Sequence, residues 1–502
     1  MESITTKFIK AISYTFLGSV IARLCGVVIG VVVARTLGSS SLGLYVIVQS
    51  TIGLYATFFG LGLGLTATKM IAQHYVNSPE MIGKILGLLF LILIVSVVFG
   101  SSIYWWSLPV LVKSIYSISA LMPLLKIGLF WFTFLTLSQF LEAVLIGFQA
   151  FKSQMFVTSI LGFFNLTIIV IVVLINKNDI LQNLIIGGTI VAFVQSILLL
   201  LYVSKELSRY KTKLSLSSLK SLIRPVLLDF SAPAFIGKIM EQPLSWVSLL
   251  LLVKFGSGIS NVGGLNIISN IRGWILYFPA MLVTILIPIL TDIYHTKEKD
   301  IFQRTLVLNQ KFLWLTTLPI LVFLITVIRL LIKLLFGDSY SEFWQAGALL
   351  LAWAILIPIN EINDRAMISV GKMWLSLGFR VVYMVLLLLT LILFIPRFQL
   401  SGYVFATGIS YLIYVFIQTC WLRKLAPDES GTILKLSMFS LFVLSIAYCV
   451  AQFFEGYKSL IGGIIMLALA LSCEWKYFIK AEEKSLLNSI VKKYLKKKED
   501  FS

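Results

Sequence analysis

Stretches of about twenty apolar residues with almost no charge recur from one end of this 502-residue chain to the other. A helix of that length rises about 1.5 Å per residue and crosses the roughly 30 Å hydrocarbon core of a bilayer. Fourteen segments meet the criterion: 11–34, 43–68, 85–106, 123–148, 156–176, 183–203, 230–253, 262–290, 311–335, 343–366, 374–396, 402–421, 435–454 and 459–478. The chain is 59% hydrophobic and 13% charged. A soluble domain carries roughly 45–50% and about 25%. Water could not solvate this much apolar surface, so a soluble globular domain and a disordered chain are both excluded.

The net charge of +19 then needs a reading other than nucleic-acid binding. With the N-terminus inside, the cytoplasmic segments hold 28 of the 41 Lys and Arg and the outer segments nine. That bias is the topology signal of membrane proteins, and an odd number of spans would scramble it. It predicts a multi-pass protein of the plasma membrane with both termini cytoplasmic. The retained first span reaches Val33 and carries Arg23, which makes it too long for a signal peptide.

Every predicted outer loop is short, so no outer domain is expected to hold an active site. No Ser/His/Asp set, metal-ligand cluster or phosphate-binding loop stands out, and the four cysteines read as small apolar fillers. The expectation is a transporter, not an enzyme, without cofactor or metal. The longest inner loop, 204–229, has an apolar stripe among basic residues and reads as a helix lying on the inner leaflet. The basic tail 481–502 suits attraction to anionic lipids.

That loop divides the chain into an all-α plan. An N-terminal lobe (1–203, six spans) and a C-terminal lobe (230–421, six spans) are followed by two further spans within 422–480. Aligning Gly43-Leu44 with Gly264-Leu265 sets Gln49 against Asn270 and His74 against His295, the only two histidines. Two pseudo-symmetric lobes around a midplane site is a recurrent transporter layout.

Ionisable groups inside spans cost about 2.5–3.5 kcal/mol at a helix centre and so belong in a protein interior or a wet cavity. Arg23 lies in the first span, Lys238 and Glu241 three residues apart in the seventh, and Arg272 in the eighth. Arg23, Arg272 and Lys238 are the candidate anion-binding groups. Guanidinium suits phosphate through paired hydrogen bonds, and an ammonium adds a point charge. A structural Lys238–Glu241 pair and an Arg23–Glu142 pair are the alternatives. Glu142 and Glu241 are candidates for ion coupling. Glu361, Asp364 and Arg365, at the inner end of the tenth span, form either an inner gate or a local ion-pair cluster. Arg380 is close enough to the inner surface to snorkel. Pro233, Pro243, Pro279, Pro288, Pro319 and Pro358 fall within spans and predict kinks. GLGLG at 60–64 predicts close approach or bending.

The opening stretch ISYTFLGSVIARLCGVVIGVVVARTLGSSSLGLYVIVQS, and ARTLGSSSLGLY (34–45) above all, resembles the polysaccharide-repeat-unit flippases. These form the oligosaccharidyl-lipid branch of the multidrug/oligosaccharidyl-lipid/polysaccharide exporter superfamily. IGFQAFKSQ (146–154), YFPAMLVTILIPIL (277–290) and FIPRFQLSGYVFATGISY (394–411) extend the resemblance along the whole chain; RFQLSG at 397–402 departs from the family's commoner glycine-containing turn. The resemblance implies a flippase that moves undecaprenyl-diphosphate-linked oligosaccharide to the outer face of the membrane, for O-antigen, capsule or a related polymer. It implies no cofactor, coupling to a proton or sodium gradient or to the membrane potential, and as partners membrane lipids and polysaccharide-assembly proteins, with no nucleic acid. A related lipid II flippase uses a cationic cavity with arginines on helices 1 and 8, positions that Arg23 and Arg272 match by order and depth. A drug or cation antiporter of the same superfamily, and a membrane-embedded polysaccharide polymerase or ligase, are the rival readings.

Overall fold

The computed structural model describes residues 4–74, 78–175, 179–212, 214–215, 240–256, 258–284, 299–424 and 432–479. Among them the protein is helical throughout, and ten helices are long and apolar enough to cross a membrane. The chain forms two compact units, Met1–Ile267 and Ile268–Ser502.

The first unit begins with α1 (Ile4–Phe59), bent at Gly38, whose φ of 69° is open to a residue without Cβ. The GLGLG segment ends α1: Leu61 and Gly62 take positive φ, and a new helix, α2 (Leu63–His74), starts at once. A break is the outcome the glycines allow, and Gly64 then lets α2 approach Ala143 of α4 (Leu121–Gly147). Helix α3 (Pro79–Pro109) passes into a wider π-helical turn at Val110–Tyr116. Helices α5 (Phe151–Ile175) and α6 (Ile180–Arg209) complete the bundle, and α7 (Glu241–Phe255) packs against α1. Leu63, Ala67 and Ile71 recur at helical spacing and meet Leu89 and Leu93 of α3 and Leu141 and Leu145 of α4 in the core. The opposite side of α3 carries exposed Val95, Val98 and Phe99. A helix apolar on both its packed and its open face is stable in lipid and not in water. Several polar side chains in this unit turn to backbone oxygens, as suits a dry setting. Tyr104 Oη donates to Leu125 O at 3.0 Å, Thr68 Oγ1 to Ala143 O at 2.8 Å and Ser96 Oγ to Phe59 O at 2.7 Å.

Helix α8 (Ser260–Thr284) carries the chain from the first unit into the second. There α9 (Lys299–Phe336) is flanked by α13 (Thr432–Phe453) and α14 (Tyr457–Tyr477). Gly463 of α14 sits against Thr326, Val327 and Phe323 of α9. The segment expected as one span at 343–366 falls within one candidate span, Asp338–Ser369, which is broken into α10 (Trp344–Trp353) and α11 (Leu356–Ser369). Pro358 explains the break. It has no N–H for the carbonyl of Ala354, which accepts from Ile357 N instead at 3.2 Å. Pro358 and Pro243 thus stand in first turns, where the missing donor costs little. The break before Pro358 is the interruption expected of it, and the residues before Met240 lie outside the described ones. Pro279 and Pro319 lie inside α8 and α9; Pro233 and Pro288 lie outside the described residues. The last long element, α12 (Met373–Leu422), bends at Gln399, which has φ 51° and follows Pro396 by three residues. The bend seats Gly402 directly on the backbone carbonyl of Phe394.

Candidate functional site

In the first unit, α1 turns one side to α5. Gly18 meets Met155 there, and Ala22 and Cys25 meet Gly162. Arg23 projects from the other side and is exposed. Gly26, one turn on, opens onto space with nothing within 4 Å of where a Cβ would stand. Glu142 on α4 accepts a hydrogen bond from Gln154 Nε2 of α5 at 3.2 Å. Glu241 is the first residue of α7 and is exposed, a position where the helix dipole favours a carboxylate. Lys238 lies outside the described residues, as does His295, so the Lys238–Glu241 and His74–His295 pairings lie outside them too. His74 Nδ1 is within 2.8 Å of Met70 O.

Residues of α7 build a polar seam along α1. Trp246 Nε1 donates to Thr51 Oγ1 at 3.3 Å, and Thr51 meets the Tyr116 hydroxyl at 3.2 Å. Gln242 lies over Gly53. Where α8 starts, its backbone crosses that of α1 with almost no separation. A Cβ on Gly43 would collide with the carbonyl of Ile259, and one on Gly263 with the carbonyl of Ser39. The contact is reciprocal: Gly43 lies on the backbone of Ile259 and Gly263 on the backbone of Ser39. Both Gly38 and Gly258 have positive φ.

The second unit contains Arg272, partly exposed on α8. Tyr403, Tyr411 and Tyr383, all on α12, lie near enough for their phenols to act on its charge. The bend at Gln399 folds α12 back on itself and brings these tyrosines together. Tyr383 and Tyr411 meet edge to face at 5.5 Å, and Tyr383 stacks on buried Tyr414 at 5.2 Å. Asn360 Nδ2 of α11 holds the Tyr411 hydroxyl at 2.8 Å.

Asp364 lies below in the same helix and is buried. Its Oδ1 accepts from Ser376 Oγ and Gln418 Nε2, both at 2.8 Å, and its Oδ2 pairs with Arg380 at 3.2 Å. Arg380 thus turns to a partner within the bundle, where the sequence suggested snorkelling to the surface. A buried carboxylate with two neutral donors in place makes that the stronger attraction. Next to it, Gln310 Nε2 of α9 donates to Asn363 Oδ1 at 2.7 Å, and Asn363 Nδ2 to Thr419 Oγ1 at 3.2 Å. Glu361 and Arg365 are partly exposed on the same helix. Ser376, Gln418, Gln310 and the tyrosines were missed from sequence. The signal available was a polar run, Asn360 to Arg365, inside an apolar span. Among the described residues no group of three His, Cys, Asp or Glu could hold a metal ion.

Residues 8–294 match the profile of a family described as polysaccharide biosynthesis protein. Among solved structures, the chain is similar to the lipid II flippase MurJ in its inward closed conformation. The TM-score is 0.71 at 15% identity, covering 92% of this chain and 98% of that one. It is also similar to an inward-facing multidrug resistance MATE family transporter of the MOP superfamily, with a TM-score of 0.67 at 14% identity, covering 82% and 97%. A third likeness is to a MOP superfamily transporter from Pyrococcus furiosus, described as having a binding pocket of reverse polarity. Its TM-score is 0.58 at 13% identity, covering 83% and 95%. No curated protein matches the chain. At these identities the structural likeness is one of fold.

Proposed function

Because this chain belongs to the polysaccharide biosynthesis protein family, within the MOP superfamily of transporters, we propose that it flips a polyprenyl-diphosphate-linked oligosaccharide across the plasma membrane. The observation that carries the reading is that Arg23 and Arg272 stand inside long helices made mostly of apolar residues. Arg23 is exposed beside the open face at Gly26, and Arg272 is partly exposed beside tyrosines. An arginine within such a helix is costly unless it meets a protein partner, an anion or water, and an exposed or partly exposed one can still reach a ligand. A diphosphate supplies two negative charges and oxygens in the geometry that guanidinium groups chelate.

The proposed topology has fourteen spans and both termini cytoplasmic, with lobes at 1–203 and 230–421. It counts α1 and α12 as two spans each, on either side of Gly38 and Gln399. In the inward-open state Arg23, Arg272 and Lys238 neutralise the headgroup, while the polyprenyl tail stays in lipid. The lobes then rock to release the glycan outside. The membrane potential assists by about 2.3 kcal/mol per charge per 100 mV. Glu142 and Glu241 are the carboxylates available for coupling to a proton or sodium gradient, and Glu361, Asp364 and Arg365 stand where an inner gate would close.

The test is single replacement of Arg23 and of Arg272 by Ala and by Lys, following the appearance of lipid-linked oligosaccharide at the outer face. Loss with Ala and partial retention with Lys is expected for both. Wild-type transport by both alanine variants at normal expression refutes the proposal.

A further inference from the structure

Arg272 accounts for the charge of a headgroup but not for the aromatic surface around it. Three partly exposed tyrosines, Tyr383, Tyr403 and Tyr411, share its surroundings. They are held in place from behind. Tyr414 is buried and stacks under Tyr383 at an interplanar angle of 27°. Asn360 fixes the Tyr411 hydroxyl, and the Asp364–Arg380 pair ties α11 to the first half of α12.

We infer that Tyr383, Tyr403 and Tyr411 form a carbohydrate subsite that grips the sugar attached directly to the diphosphate bound at Arg272. This rests on the flippase reading and specifies which part of the substrate that face takes. A pyranose ring has an apolar C–H face and a rim of hydroxyls. Tyrosine offers the matching pair, an aromatic face to stack and a phenol to hydrogen-bond, at little cost in side-chain freedom. A polyprenyl chain would offer the phenols no hydrogen bond beyond the one that Asn360 makes to Tyr411, which is costly in hydrocarbon. A cationic drug would be attracted by the ring faces but repelled by Arg272. A sugar next to a phosphate satisfies both halves of the face.

The experiment measures binding of two probes to the full-length protein in lipid nanodiscs: undecaprenyl diphosphate, and the same lipid bearing one N-acetylhexosamine. The unaltered protein prefers the glycosylated probe. Tyr403→Leu reduces that preference by about three- to tenfold, the range of one aromatic contact. Tyr403→Phe keeps the stacking face and most of the preference. Arg272→Ala weakens both probes together. Equal affinity of the unaltered protein for the two probes, or equal loss of both in Tyr403→Leu, overturns the subsite. Should Tyr403→Leu not fold, the comparison of probes on the unaltered protein decides alone. Failure of the unaltered protein to bind either probe refutes the flippase reading instead.

Discussion

Replacing Gly263 by alanine is expected to destabilise the protein, against the usual effect of that substitution in a helix. Alanine is ordinarily better than glycine inside a helix by about 0.5–1 kcal/mol. At Gly263 the added Cβ would stand 3.2 Å from Ser39 Cα and nearer still to the Ser39 carbonyl oxygen. Both are backbone atoms and cannot rotate away, so α1 and α8 must separate at their crossing. Overpacking of this kind costs about 1–3 kcal/mol, which exceeds the helix-propensity gain. Gly43 is the reciprocal position, where a Cβ would stand 3.0 Å from the carbonyl carbon of Ile259. The two substitutions strain one contact, so their combined effect falls short of the sum. Gly378, inside α12, is the control: nothing lies within 4 Å of its Cβ position, and alanine there stabilises. Thermal unfolding of the purified variants in one detergent ranks them. The order expected is Gly378→Ala above the parent, and Gly43→Ala and Gly263→Ala below it. A Gly263→Ala variant as stable as Gly378→Ala would refute the crossing geometry.

Asp364→Ala strands Arg380 and removes the acceptor of Ser376 and Gln418. Since Arg380 is about one-third exposed, the cost is about 1–3 kcal/mol, below that of a fully buried pair, in the same unfolding assay. Arg329 pairs with Glu455 and lies 5.7 Å from the Trp344 ring, but both charges are well exposed. Glu455→Gln therefore shifts stability by under about 1 kcal/mol, less at high salt. Gly408→Ala drives a methyl into the Trp353 indole and lowers stability by about 1–3 kcal/mol, read by the same melt. Topology is checked in a cysteine-free background. K458C is expected to react with a membrane-impermeant thiol reagent from outside and K424C only after permeabilisation; the reverse pattern overturns the orientation.

Much of the membrane plan was legible along the chain, because it depends on length and apolarity alone. The ten apolar helices follow from runs that need no partner to be recognised. Pro358 could have announced the break between α10 and α11, since a missing N–H acts on the carbonyl four residues back. Arg23 and Arg272 stood out because a charge in such a run is costly wherever it points. The direction in which each helix faces was not legible. In lipid an unpacked face is as apolar as a packed one, so hydrophobicity marks no inner side. For that reason Arg380 gave no sign of its pairing with Asp364, nor Gln418 of joining them, nor the tyrosines of α12 of gathering at Arg272. The sequence by itself determined what enters the membrane and which charges are stranded there. Only the tertiary structure decided which of those groups meet, because helix rotation and crossing register are set by small residues and hydrogen bonds between distant segments.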